Sequence, residues 1–150
     1  MIQKEHNKTS STRLHEVALA GNLSECKRII KNIEDKNPID YLGRTPLHWA
    51  AINGHSSICI LIVNNVQNKN PRNYCGHMPL HWAAANGHLL VCQLIFNNII
   101  DKNPMDDTGM TPLHDAAKHG HFEVFKFIFD NVEEKYPSYG NRMSPLGFAT

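Results

Sequence analysis

A 33-residue period runs through this chain and constrains its fold more than any other property. Thr12 opens "TRLH", Thr45 "TPLH", Met78 "MPLH", Thr111 "TPLH" and Ser144 "SPLG", each 33 residues after the last. Pro38, Pro71, Pro104 and Pro137 keep the same interval, and so do Gly21, Gly54, Gly87 and Gly120. No insertion or deletion breaks the register. A chain written this way builds one small unit several times and stacks the copies, because a unit of that size cannot bury its apolar face alone.

The chemistry of one unit is legible residue by residue. Thr45 suits a helix N-cap, its hydroxyl placed to accept a backbone N–H, and Pro46 suits the first helical position. Leu47, Ala50 and Ala51 give a short helix with a face of small residues, and Gly54 ends it with positive φ. A second helix follows, with Ile58, Cys59, Leu61 and Ile62 at helical spacing. Its counterparts are Val91, Cys92, Leu94 and Ile95, then Val124, Phe125, Phe127 and Ile128. Each proline forces the residue before it, Asn37, Asn70 or Asn103, out of the helical region into an extended turn.

The pattern D-x-x-G-x-T-P-L-H-x-A-A-x-x-G-H, carried almost in full from Asp106 to His121, resembles the ankyrin repeat. The resemblance spans roughly residues 12 to 150, with both motif and period matching. It implies an all-α solenoid of stacked helix-turn-helix units joined by hairpin-like turns, with about four full repeats starting near 12, 45, 78 and 111 and a partial fifth at 144. Residues 1–11 read as a polar leader. In that family the inner helices and hairpin tips form a concave surface that binds other proteins. The family's usual alanine is replaced here by Pro38, Pro71 and Pro104, which stiffens each connection and leaves the fold unchanged.

The two ends read differently. In the first unit Glu25 and Arg28 stand where later units are apolar, and Arg13 replaces the helix-starting proline. A polar outer face is what a terminal repeat needs for solubility. At the other end "SPLGFAT" stops within the first helix of a fifth unit, leaving Val124, Phe125 and Phe127 short of a cover. The reading is either a piece of a longer chain or a degenerate last repeat, since Arg142 replaces the turn glycine and Gly147 the histidine.

Composition removes other classes. A net charge of +1 gives no electrostatic case for nucleic acid, and no basic stripe exists. The longest apolar runs, such as Ile58 to Val63, fall far short of the roughly 20 residues of a membrane helix. The polar start "MIQKEHNKTSSTR" has no apolar core of a secretory signal, so the sequons at Asn7 and Asn22 are expected to stay unused. Cys26, Cys59 and Cys92 are one repeat position, too widely spaced in a stack to pair as disulfides. With Cys75 in a turn, these free thiols fit a reducing intracellular home, cytoplasmic or nuclear.

Histidines are numerous, yet His15, His48, His81 and His114 are one repeat position and His55, His88 and His121 another. Equivalent positions lie about 10 Å apart, too far to share a metal, and the resemblance gives the first set hydrogen bonds within and between repeats. His114, His119 and His121 with Asp115 are the nearest approach to a metal set. No metal or cofactor is expected. No nucleophile elbow, phosphate loop or zinc-protease motif occurs, and Asp106 reads as a turn-stabilising residue, so the chain is expected not to be an enzyme.

Where repeats agree they specify scaffold, and where they differ the surface can specialise. The differing tip positions are Tyr41, Leu42 and Arg44, then Arg72, Tyr74 and His77, then Asp107, Thr108 and Met110. On the inner helices they are Trp49, Ile52, Asn53, Trp82, Asn86, Asp115, Lys118 and His119. Trp49, Trp82 and Asp115 share one position, which therefore cannot be deep core; the tryptophans are either inter-repeat packing, a stacked aromatic strip for binding, or both. The expected function is a non-enzymatic module binding a protein or peptide, monomeric unless self-association covers the last repeat. The alternative is the targeting arm of a larger enzyme or signalling protein. The resemblance also marks Asn37, Asn70 and Asn103 as positions that an asparaginyl hydroxylase modifies in some ankyrin proteins.

Overall fold

The computed structural model describes residues 13–135. Helix α1 covers residues 13–20, followed by α2 (Leu23–Asn32), α3 (Pro46–Ile52), α4 (Ser56–Val63), α5 (Pro79–Ala85), α6 (Leu89–Asn98), α7 (Pro112–Lys118) and α8 (Phe122–Asn131). Among the described residues all regular structure is helical. Pairs α1/α2, α3/α4, α5/α6 and α7/α8 are four successive units, and from α2 to α6 each helix packs on its counterpart in the next unit. The partial fifth unit, with Arg142 and Gly147, and the leader lie outside the described residues.

Side-chain size gives the stack two unlike rows. Ala50, Ala51, Ala83, Ala84, Ala116 and Ala117 are buried on the odd-numbered helices, so these approach closely. Ile58, Ile62, Val91, Ile95, Phe96, Val124 and Ile128 fill the space along the even-numbered row. Small residues on one side and branched or aromatic ones on the other make the alanine row the short, inner side of a curved array.

The inner helices start in a way the sequence reading did not foresee. Thr45 is a buried N-cap, but its hydroxyl meets the ring nitrogen Nδ1 of His48 at 3.0 Å, not a backbone donor. His48 Nδ1 in turn accepts the Thr45 backbone N–H at 3.0 Å. Unit three confirms that the histidine is the cap: Met78 has no hydroxyl, yet its N–H reaches His81 Nδ1 at 3.1 Å. Thr111 and His114 repeat the arrangement at 3.2 Å. The expected hydroxyl cap is therefore replaced by an imidazole one turn later, because a side chain from the third helical residue reaches back to the orphan N–H.

The outer helices α2, α6 and α8 end on lysine. Lys36 Nζ donates to the Ile30 carbonyl at 2.8 Å, and Lys102 and Lys135 do the same to Phe96 and Phe129. Each lysine of the "DKN" and "EKY" turns thus satisfies a carbonyl that the helix leaves open. At the first unit, Arg28 holds Glu25 through two bonds of 2.8 and 2.7 Å, with Arg13 3.6 Å from the same carboxylate. The Arg28 guanidinium holds the Glu25 carboxyl down at about 2. A charged pair thus occupies the outer face where later units place Ile58, Val91 and Val124.

Candidate binding face

Two histidine ladders tie the units together. Running forward, His15, His48 and His81 each donate from Nε2 to the backbone carbonyl of the next tip, at Arg44 (2.8 Å), His77 (3.0 Å) and Met110 (3.1 Å). For His48 and His81 the tautomer follows from the partners: Nδ1 receives a backbone N–H, so the proton is on Nε2. Burial pushes both imidazoles down to about 4, against the opposing pull of those carbonyls. Running backward, His55, His88 and His121 bond through Nε2 to Leu19 (2.9 Å), Ile52 (2.9 Å) and Ala85 (3.0 Å). In the nearest approach to a metal set, His121 Nε2 is engaged in that ladder and His119 Nδ1 donates to the Asp115 carbonyl at 2.9 Å. Among the described residues no group of three or more His, Cys, Asp or Glu is placed to hold a metal ion.

The tips are built around one acidic or amide residue apiece. Asp40 Oδ1 accepts the N–H groups of Leu42 and Arg44, both at 2.9 Å. Asn73 Oδ1 accepts those of Cys75 and His77, both at 2.9 Å. Asp106 Oδ1 accepts from Thr108 N (2.8 Å) and Met110 N (2.9 Å). Burial alone would raise the carboxyls of Asp40 and Asp106, but these donors outweigh it and hold both below the usual range. Asp106 is thus a turn residue, as the sequence suggested. Tips are also tied to each other: Tyr74 N–H reaches the Leu42 carbonyl at 3.0 Å and Asp107 N–H the Cys75 carbonyl at 3.2 Å.

The variable positions divide into exposed and committed groups. Tyr41 (82% exposed) and Tyr74 (66%) stand out from the tips, with Leu42 beside them. Asn53, Asn86, Lys118 and His119 are exposed at the ends of the inner helices, the two asparagines bonded back to the Trp49 and Trp82 carbonyls. Ile52 and Met110 are half-buried. Arg44 is nearly enclosed and paired with Asp40 at 2.9 Å, its guanidinium 4.0 Å over the Trp49 ring. Two side-chain contacts bridge units three and four, an ion pair of Arg72 with Asp107 at 3.0 Å and His77 Nε2 on the Asp106 carboxylate at 2.9 Å.

The tryptophans do not stack on one another. Trp49 donates from Nε1 to Asp40 Oδ2 at 3.1 Å, whereas Trp82 lies 5.4 Å from the His77 ring and its Nε1 is buried with no partner. Asp115, in the same repeat position, also has a buried oxygen with no partner. Burial, with the nearby charge of Asp106, pushes its carboxyl up to about 7 against the opposing charge of Lys118. The sequence reading passed over Asp40 and Asn73, although the column Asp40, Asn73, Asp106 was available as the signal.

Two further groups belong to the scaffold. Asn37 and Asn103 donate their amides to the Asn68 and Glu134 carbonyls, at 3.3 and 3.1 Å, which lie in the turn of the following unit. The side-chain oxygens of Asn37, Asn70 and Asn103 are buried without a partner. Cys26, Cys59 and Cys92 are free and fully buried; burial pushes the last two thiols up to about 12, which removes their nucleophilic form. Cys75 is exposed.

A family model described as ankyrin repeats (3 copies) matches residues 2–73 and, in a second placement, 56–138. The chain belongs to the ankyrin repeat family, whose repeats are generally protein–protein interaction modules and typically carry no catalytic activity. No curated protein matches the sequence significantly. No helix among the described residues is long and apolar enough to cross a membrane.

Proposed function

We propose that this chain is a non-enzymatic recognition module that binds a protein or peptide through its inner helices and hairpin tips. One observation carries the reading: the residues that repeat are used up inside the array, while a subset of those that vary stands exposed on the tips and at the ends of the inner helices. His48 and His81 spend their ring nitrogens on backbone groups, and Asp40 and Asp106 each spend one carboxylate oxygen on backbone N–H groups and the other on neighbouring side chains. Tyr41, Tyr74, Asn86, Lys118 and His119 are exposed, and large exposed aromatics on turn tips are what a recognition surface is made of. Four free thiols, three of them buried, suit a reducing compartment in the cytoplasm or nucleus.

A photo-reactive amino acid placed at Tyr41, Tyr74 or Asn86, against one at Ile60 or Leu90 on the outer helices, tests this in cell extract. Cross-links to one protein from the first set alone support the inner face. Equal capture from both sets overturns it.

A further inference from the structure

The backward histidine ladder is built from one slot used repeatedly. Each slot is a glycine with positive φ and the backbone carbonyl two residues before it. His55 lies against Gly21 and bonds to the Leu19 carbonyl at 2.9 Å. His88 lies against Gly54 and bonds to the Ile52 carbonyl at 2.9 Å. His121 lies against Gly87 and bonds to the Ala85 carbonyl at 3.0 Å. A Cβ at Gly21 or Gly54 would stand only 2.7 or 2.6 Å from the ring, so the imidazole takes room that only glycine leaves.

Unit four forms the same slot on its far side. Gly120 holds φ at 73°, against 77°, 71° and 72° at Gly21, Gly54 and Gly87. Lys118 places the carbonyl two residues earlier, at the end of α7. Here no described residue comes within 4 Å of the place a Cβ would take. Gly120 is exposed, as is Lys118, whereas the other three glycines are half-buried. The slot is therefore shaped by the backbone and open to solvent.

The chain's own histidines are committed elsewhere. Those of the two ladders hold carbonyls of the neighbouring units. His114 caps α7 at Thr111, His77 sits on Asp106 and His119 on the Asp115 carbonyl. Residues 136–150 contain no histidine, and His6 precedes unit one at the other end of the sequence.

We propose that the slot at Gly120 docks a histidine of a partner protein, its ring against the glycine and its Nε2–H donated to the Lys118 carbonyl. The partner then continues the stack end-on, as His121 continues it from unit three to unit four. The three covered slots define the chemistry, since each takes an imidazole with the proton on Nε2. A lysine brings a donor without a ring, and a phenylalanine a ring without a donor. This contact lies at the end of the array and does not depend on the hairpin tips.

The test is titration of the nitrogen-15-labelled chain with N-acetyl-histidine N-methylamide, followed at the glycine amide resonances. A pH of about 7.5 keeps the probe neutral, above the ordinary imidazole value of about 6.5. The same probe methylated on Nε2 is the control, because it keeps the ring and lacks the donor. The Gly120 amide is expected to shift saturably with a dissociation constant on the order of 10 mM, while Gly21, Gly54 and Gly87 stay still. The methylated probe is expected to bind about tenfold more weakly. Gly120→Asn puts a side chain in the slot, and asparagine tolerates positive φ, so this variant is expected to keep its circular dichroism and lose the response. His88→Ala uncovers Gly54 and calibrates the probe on a slot known to take imidazole. No shift at Gly120, equal response to both probes, or a response that survives Gly120→Asn overturns the proposal. A shift at the uncovered Gly54 without one at Gly120 overturns it as well. Cross-linking from Tyr41 and Tyr74 stands apart, so loss of this end-on contact is distinguishable from loss of the inner binding face.

Discussion

The imidazole of His88 lies over Gly54 so closely that a Cβ at the glycine would stand 2.6 Å from Nδ1. The same histidine bonds to the Ile52 carbonyl at 2.9 Å, so glycine and histidine of the recurring "NGH" face each other across a unit boundary. Gly21 with His55 and Gly87 with His121 repeat it, while at Gly120 nothing approaches within 4 Å. All four glycines hold positive φ near 75°, so backbone strain is common to the set and contact is not.

Gly54→Ala and Gly120→Ala therefore separate the two costs. Gly120→Ala carries only the positive-φ penalty, about 1 kcal/mol. Gly54→Ala adds displacement of His88 and the loss of its bond, for about 3 kcal/mol in all. Urea denaturation of both variants checks this; equal losses would mean that the histidine contact contributes nothing.

The helix cap belongs to histidine. His48→Ala leaves the Thr45 N–H and the His77 carbonyl unpaired in a buried site and is expected to cost about 3 kcal/mol. Thr45→Val removes only the hydroxyl and is expected to cost about 1 kcal/mol, since unit three works with Met78 in that place. Thermal unfolding of the two variants checks the ranking.

Buried neutral histidines make the array sensitive to acid. The folded pKa of His48 and His81 is about 4, against about 6.5 in the unfolded chain. Between those values the unfolded state binds more protons, so stability falls as pH falls. The contribution is complete above about pH 6.5 and is lost progressively toward pH 4, at about 3 kcal/mol for each histidine. Denaturant midpoints measured from pH 7.5 to 4.5 should decline, and the decline should be shallower in His48→Gln.

Asp115 acts in the opposite sense. Its folded pKa is raised to about 7, above the ordinary carboxylate value of about 3.9. The folded state then binds more protons across that window, and the group destabilises increasingly as pH rises to about 7. Asp115→Asn keeps the shape and removes the charge, so it should stabilise by about 2–4 kcal/mol at pH 8 and by little at pH 4. A Tm difference that does not change with pH would contradict this.

Asn73→Asp should supply the acceptor that Trp82 lacks. Its first oxygen keeps the turn, as in Asp40, and its second takes the indole N–H, for a gain of about 1 kcal/mol. Slower hydrogen exchange of the Trp82 indole proton is the direct readout.

The 33-residue register set the unit, the number of described repeats, the buried Cys26, Cys59 and Cys92, and the polar cap at Glu25 and Arg28. Those features are local or periodic, so spacing alone carries them. The column of Asp40, Asn73 and Asp106 was equally visible, but its consequence was not. Whether an amide oxygen is already occupied, or a nitrogen faces an indole, depends on atoms that meet only when the tip folds over the helix. Arg44 was read as free surface because sequence cannot show that Asp40 and Trp49 enclose it. The pairing of His88 with Gly54, and of His77 with Asp106, joins residues of different units, and only stacking brings them within reach. The repeated scaffold is legible in sequence because every unit restates it; tertiary structure decided which variable residues are left exposed, because that depends on what their neighbours have already used.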